Sequence, residues 1–523
     1  MKFREGILPP PAAIGLPSKF TEWRNGQEEA ILHLQDSDSR IVVQVQPTGS
    51  GKSVCYMADA VFSGRTVILT GTKGLQRQLE SDFPDVATVM GKNEYRCKLL
   101  GGRVSCDFGP CSYGKYCPLR KKSICEYYAA IDIARQSPVV VTNYAFWIKN
   151  KPGVLGNIDL LVCDEAHDTV TQLCDSLTVE IYESTFKKAR GECGGLSWPL
   201  GDDGLWLWAM DSLGVINDYI ETQRALRGLD TCLRDKKFKA VYRLKQNLEQ
   251  LETADEDLWI SEHHGRAVSF IPLWPAEFAD EYLFRDVPKI LMTSATVTKK
   301  SLNLLGVNDS NMDYVEYPSQ FPVENRPVIW IQFVSACRMD YRASQYVINL
   351  WLTRIDQIIR GRLDRKGIIH TVSYKRCNTI LSSSEYSEHM ITHESGKRDE
   401  AIEAFKRADP PAILVSPSVV TGYDFPDDEC RYQIIGKLPF PDQRRKVDKE
   451  RKKIDPEFGM NQAVQNLVQA VGRGTRNKSD YCETFIVDDH ISWFIKKFEH
   501  LATRSFLESY RRVTTIPAPI EGR

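Results

Sequence analysis

Short runs of β-branched and apolar residues punctuate the chain, and between them apolar positions recur every three or four residues. The runs Ile41–Val45, Thr66–Thr70, Val139–Thr142, Leu160–Cys163 and Ile290–Thr293 read as strands buried on both faces, joined by crossover helices. A second series follows at Gly367–His370, Ala412–Val415, Tyr432–Ile435 and Thr484–Val487. This alternation predicts parallel sheet, and hence an α/β fold with two domains in tandem.

Two stretches break the pattern. Residues 94–130 are rich in Cys, Gly and Lys with little periodicity, as expected of a small unit held by a bound metal rather than by a core. Residues 168–285 carry few strand signals and many helical ones, as in Thr222–Leu226 and Lys239–Leu251, and read as a helical insertion. The first α/β domain then comprises 1–93, 131–167 and 286–325, and the second 326–523. The run Arg444–Lys453 stands out for charge.

Composition narrows the class. At about 150 residues per domain, 523 residues make three or four folding units. With 42% hydrophobic and 26% charged residues, most of the chain should fold. The net charge of −1 advertises no global basic field, so any nucleic-acid site must be a local patch. The start of the chain lacks an apolar signal region and no 18 apolar residues run together, which predicts a cytoplasmic protein, nucleoid-associated in a prokaryote or virus, with no membrane partner. Ile520–Arg523 matches a protease-cleavage sequence and is set aside.

Chemistry concentrates where strands end. Gln46-Pro-Thr-Gly-Ser-Gly-Lys-Ser53 follows one strand and precedes a probable helix, Val54–Ala60. Backbone amides of Thr48, Gly49, Ser50 and Gly51 can curl around phosphate oxygens, Lys52 can reach the terminal phosphates, and Ser53 can ligate Mg²⁺. The strict pattern would place Gly at position 46, where this chain has Gln. Asp164-Glu-Ala-His167 follows the strand Leu160–Cys163. Asp164 can hold Mg²⁺ through water, and Glu165 can orient or deprotonate the attacking water.

Together these two segments resemble the superfamily 2 helicases of the DEAH type. Phe20–Gln27, with Arg24 and Gln27, is similar to the adenine-sensing segment of that family, Thr70–Gln78 to motif Ia, and Thr293–Thr296 to motif III. Val372–Tyr374 resembles motif IV, Ser416–Asp424 motif V, and Gln469–Arg476 motif VI. Thr421 departs from the family, which usually has an acidic residue there. In motif VI, spacings of four and three put Gln469, Arg473 and Arg476 on one helix face, where two guanidinium forks could meet a transferring phosphoryl group.

Five of the 14 cysteines, Cys97, Cys106, Cys111, Cys117 and Cys125, lie within one span that contains no His. An all-thiolate set suits zinc or an iron–sulfur cluster, and spacing does not choose between them. Position does. A Cys-rich insertion between motifs Ia and II, followed by a helical one between motifs II and III, resembles the iron–sulfur helicases of the Rad3/XPD and DinG group. That resemblance implies two RecA-like motor domains, a [4Fe–4S] cluster on Cys97, Cys111, Cys117 and Cys125 with Cys106 spare, and an arch-like helical insertion. It also implies ATP and Mg²⁺ as cofactors, Asp424 at the nucleotide, and a monomer moving 5′ to 3′ on single-stranded DNA and unwinding tailed or forked duplex. Two other readings are a nucleic-acid-stimulated ATPase that remodels protein–DNA complexes and a zinc-bearing binding module with a degenerate motor. Expected strand contacts are Lys73, Gln76, Ser416, Ser418, Lys115, Lys121 and Lys122, with Tyr113, Tyr116 and Trp206 able to stack on bases.

Overall fold

The computed structural model describes residues 8–120, 124–333, 335–340, 342–394, 396–417, 423, 425–475 and 479–521. Its strands, in chain order, begin with β1 (Ile41–Val45), β2 (Thr66–Thr70), β3 (Ala87–Thr88), β4 (Val139–Asn143) and β5 (Leu160–Asp164). Next come β6 (Val179–Tyr182), β7 (Trp259–His264), β8 (Ala267–Pro272), β9 (Lys289–Ser294) and β10 (Met312–Glu316). The second half holds β11 (Val328–Ile331), β12 (Gly367–His370), β13 (Met390–Ile391) and β14 (Ile413–Ser416). It ends with β15 (Tyr432–Ile435), β16 (Glu483–Ile486) and β17 (Tyr510–Val513).

Seven strands in the order β10-β1-β9-β5-β2-β4-β3 make the sheet of lobe 1. Seven more, in the order β13-β14-β12-β15-β16-β11-β17, make that of lobe 2. Every pairing in both sheets is parallel. The chain is thus two RecA-type α/β lobes, as the alternation of elements predicts. Period two divides lobe 1's core: Val43, Val45, Leu161 and Met292 face one side, while Val42, Ile68, Val162 and Leu291 face the helices Gln27–Asp36 and Lys52–Ser63 on the other. Strands covered on both faces have no polar side to show, which is why they read as continuous apolar runs. The edge strand β10, Met-Asp-Tyr-Val-Glu, keeps charge at its margin and gave no such signal.

The insertion between β5 and β9 departs from the all-helical expectation. Its helices Glu183–Cys193, Leu205–Arg227 and Lys236–Glu252 pack on an antiparallel sheet of order β6-β8-β7. Gly265, at φ 61°, turns the β7–β8 hairpin, a conformation that favours a residue without Cβ. The Cys-rich stretch consists of short 3₁₀ turns and one bridge between Arg96 and Ser105. It leans on its neighbours. Tyr113 is buried in the core of the insertion, the Arg243 guanidinium lies 3.6 Å from the Phe108 ring centroid, and Gln246 donates to the Ser112 carbonyl at 2.7 Å.

The charged run Arg444–Lys453 becomes the helix Lys446–Ile454 of lobe 2, which docks on the insertion. Buried Glu262 of β7 accepts from Arg445 Nε at 2.5 Å and from the Lys446 amide at 2.7 Å, so it caps that helix across the domain boundary. Arg451 donates to the carbonyls of Pro272 and Leu273. Among the described residues no helix is long and apolar enough to cross a membrane.

Inside lobe 2, Arg362 and Glu483 form a bidentate pair at 2.7 and 2.8 Å, each side chain 1% exposed. Removing one partner strands a charge away from water. Glu483→Ala should therefore destabilise lobe 2 by about 3–5 kcal/mol, read as a lower urea midpoint for its unfolding transition.

Candidate nucleotide site and cysteine centre

The C-terminal edge of lobe 1's sheet brings three loops together, because β9 lies between β1 and β5. The loop after β1 holds residues 46–51, the helix Lys52–Ser63 opens with Lys52, and Ser53 follows. Gly49 and Gly51 sit at φ 79° and 82°, where a side chain is strained. A Cβ on Gly51 would also meet Gln27 Nε2 at 2.5 Å. Gln27 donates to the carbonyls of Ser50 and Gly51, at 3.0 and 3.2 Å, and Arg24 to that of Gly49 at 3.1 Å. With those carbonyls held from behind, and the Ser50 amide donating to the Pro47 carbonyl at 3.2 Å, the other loop amides are left to an anion at the helix N-terminus. Gln46 is buried and donates to Gln44 Oε1 at 2.9 Å, so the residue that breaks the usual glycine pattern is a core hydrogen-bonding partner of β1.

Asp164 ends β5 with both carboxylate oxygens engaged: Oδ1 accepts from the Glu165 amide at 2.9 Å, and Oδ2 from Tyr56 OH at 3.2 Å. Burial, then Glu165, pushes its pKa up to about 7, against the pull of Lys52. Glu165 has φ 52°, which turns the chain sharply away from the strand. Burial lowers the pKa of His167, keeping the ring neutral. Its Nδ1 lies 2.7 Å from Ser294 Oγ, at the end of β9, and 3.3 Å from Glu165 Oε2. Tyr56 escaped the sequence reading. Its place four residues after Lys52, one turn along the same helix face, was the available signal.

Lobe 2 reaches this edge through the helix Phe458–Val471. Gln469 Nε2 contacts His167 Nε2, so the neutral ring carries its proton on Nδ1 and accepts the amide on the other nitrogen. A Cβ on Gly472 would lie 2.9 Å from Thr48 Oγ1, so motif VI approaches the phosphate loop closely here, and a side chain at 472 would push the Thr48 hydroxyl aside. The expected single helix face does not hold. The helix stops at Val471, because Gly472 and Gly474 interrupt it, and Arg473 lies in the turn beyond, donating to the Tyr423 carbonyl at 3.4 Å. Arg476, Asp424, Ser418, Thr421, Lys121 and Lys122 lie outside the described residues.

Several expected strand contacts are committed elsewhere. Gln76 is buried and donates to the carbonyls of Val89 and Val141, tying down strand ends inside lobe 1. Ser416 is buried, 3.1 Å from His393 Nε2. Tyr113 is core, and Trp206 packs edge-on against Phe270. Lys73 and Lys115 pair with Glu94 and Asp230, while Tyr116 stays exposed. A cavity of about 560 Å³ lies between the lobes, with Thr171, Asp175, Val372, Pro417, Arg445 and Gln462 in its walls. Val372, β-branched at φ 65°, holds strained backbone there.

The five clustered cysteines converge. Cys97, Cys106, Cys117 and Cys125 are buried and Cys111 is half-buried. A Cβ on Gly109 would meet Cys97 Sγ at 3.1 Å and Cys111 Sγ at 3.7 Å. Cys106 and Cys125 interact directly, and burial, then Cys125, pushes the Cys106 thiol up to about 12. Thiols are the soft donors that zinc and iron–sulfur groups both take, but among the described residues no three or more His, Cys, Asp or Glu are placed together to hold a metal ion.

Residues 24–190 match the family described as DEAD/DEAH box helicase, and residues 362–503 match that described as helicase C-terminal domain. A probable ATP-dependent helicase of Methanocaldococcus jannaschii is 20% identical over 90% of this chain and 92% of its own. Among solved structures, an XPD helicase superposes with a TM-score of 0.62 at 14% identity, covering 93% of this chain and 98% of that one. Xpd4 of S. tokodaii superposes with a TM-score of 0.60 at 12% identity over 94% and 100%. The chain thus carries a DEAD/DEAH box helicase domain in lobe 1 and a helicase C-terminal domain in lobe 2, and shares the XPD fold along nearly its whole length.

Proposed function

We propose that the protein is an ATP-driven DNA helicase that moves 5′ to 3′ on single strands and separates tailed or forked duplex as a monomer. One observation carries this reading: lobe 2 meets lobe 1 at the phosphate loop and the acid pair, with Gly472 against Thr48 and Gln469 against His167. ATP would lie in that junction. The amides of Thr48, Gly49 and Gly51, with Lys52, hold its phosphates, and Arg24, Gln27 and Asp424 complete the nucleotide site. Ser53, and Asp164 through water, would hold Mg²⁺, which would supply positive charge beside the phosphates. Glu165 orients the attacking water, while His167 and Gln469 set the distance between the lobes. Arg473 and Arg476 approach the transferring phosphoryl group when the lobes close. Nucleotide state then changes the grip on the strand, as mechanical work requires.

The strand would pass through the interlobe cavity, whose walls include residues of motifs IV and V. DNA as substrate, and the polarity, rest on the resemblance to the Rad3/XPD and DinG group and on the fold shared with XPD. Cys97, Cys111, Cys117 and Cys125 would hold a [4Fe–4S] cluster, with Cys106 beside it. Bound, that cluster supplies a covalent tie in place of a core; the chain's own part is to pack Tyr113 and Phe108 on the insertion.

Lys52→Ala should cut strand-stimulated ATP turnover by about 100-fold or more while the thermal midpoint holds. Purified anaerobically and assayed for iron and sulfide, the protein should displace a strand from a 5′-tailed duplex. ATP consumption without displacement would favour the remodelling ATPase, and no consumption with DNA or RNA would sink the motor altogether.

Proton and Mg²⁺ compete for Asp164. Since burial raises its pKa to about 7, apparent Mg²⁺ affinity should fall as pH drops from 8 to 6, approaching tenfold per unit below 7 in a metal titration. Without metal the sign reverses. A carboxyl with a raised folded pKa stabilises the fold below its unfolded value, and that contribution is lost as pH rises through about 7.

A further inference from the structure

We infer that Asn461 and Gln465 are positioning residues which, together with Gln469, transmit closure of the lobes to the segment that follows β9. The inference rests on the reading above, in which ATP sits between the lobes. It comes from a stripe on one helix. Residues 461, 465 and 469 are spaced four apart on Phe458–Val471, so three side-chain amides line one face. Each meets lobe 1. Thr298 Oγ1 donates to Asn461 Oδ1 at 3.2 Å, Gln465 Nε2 donates to Ser301 Oγ at 2.8 Å, and Gln469 contacts His167.

The lobe 1 partners are themselves a unit. Thr298 and Ser301 form the capping box of the helix Lys299–Asn303, each accepting the other's backbone amide. Ser301 Oγ also donates to the Thr298 carbonyl at 3.0 Å. The Thr298 and Ser301 hydroxyl oxygens also lie 3.0 Å apart, so the Thr298 proton is shared between its capping partner and Asn461 of lobe 2. Four residues upstream, Ser294 Oγ accepts the Thr296 amide at 3.1 Å and meets His167. Segment 294–301 therefore meets that helix of the other lobe directly at Thr298 and Ser301, and through His167 at Ser294.

Asn461 and Gln465 are only 2% and 7% exposed. A buried amide that loses its partner without gaining water is costly, so this seam favours fully made or fully parted states over intermediate ones. Lys300 adds a charged anchor, 2.6 Å from Asp455. The seam thus links the acid pair, through His167 and Ser294, to a helix cap some residues away, and gives lobe 2 two handles on lobe 1 besides Gln469.

The test uses the full chain and two readouts. In Asn461→Leu/Gln465→Leu, strand-stimulated kcat should fall about tenfold with KM for ATP within twofold of the parent. Amides of 299–303 and 458–471 should exchange hydrogen at least fivefold faster in the presence of a non-hydrolysable ATP analogue and a DNA single strand. Asn461→Asp keeps the acceptor for Thr298 and should retain parental kcat and exchange. Parental kcat and exchange in the double variant would overturn the inference. So would an Asn461→Asp variant as impaired as Asn461→Leu, which would make the contact one of packing. The exchange readout needs no turnover, so a parent that hydrolyses nothing would defeat the proposed function while leaving the seam to be judged by exchange.

Discussion

A neutral imidazole between two lobes is the contact on which the rest of the structure turns. His167 can accept the Gln469 amide only while it is uncharged, and burial is what keeps it so. Had the ring stayed in water, it would titrate near physiological pH and the junction would loosen with each proton. The sheet order produces that burial. With β9 between β1 and β5, the phosphate loop, Ser294 and the acid pair share one edge, and lobe 2 covers it. The carboxylate of Asp164 is held on both oxygens by groups from two different elements, so its orientation precedes any ligand.

The two insertions obey a different constraint. The short turns around the cysteines are too small to be independent of their surroundings, whereas the three-stranded sheet has a core of its own with its helices. Phe108 and Tyr113 spend their apolar surface on the helix Lys236–Glu252, and Glu262 spends its charge on capping a helix of lobe 2. The insertion therefore touches the Cys-rich unit on one side and the far lobe on the other. A displacement of lobe 2 must either carry the insertion along or break a buried carboxylate's bonds.

Among the described residues four non-glycine positions have positive φ, and two of them, Glu165 and Val372, lie where chemistry would use the strain, while Arg285 and Asp427 lie elsewhere. Glu165 and Val372 both have positive φ, one beside the acid pair and one in the wall of the interlobe cavity. A β-branched residue in that conformation persists only because its surroundings outweigh the cost.

Much of lobe 1 and the nucleotide loop was legible from pattern alone, because strands buried on both faces, glycines at left-handed positions and a carboxylate at a strand end are local demands that residue type satisfies directly. The nine strands read from apolar runs are all present, two of them, β14 and β16, displaced by one residue. The strands β6, β7 and β8 escaped: β6 alternates buried and exposed positions over a short run, β7 is mostly half-buried, and β8, Ala-Val-Ser-Phe-Ile-Pro, is apolar enough to have been read as strand. Gln76, Ser416 and Tyr113 looked available for a strand and proved buried, because exposure is a property of what packs above a residue. The motif VI face was read as continuous helix, yet two glycines end it at Val471. Residue order by itself determined the fold class and set the glycine-bearing loop after β1 at a helix N-terminus, both of which follow from chemistry within a few tens of residues. Only the tertiary structure decided that Asn461, Gln465 and Gln469 face Thr298, Ser301 and His167, since hydrogen bonds between groups more than 150 residues apart depend on how two separate sheets come to rest against each other.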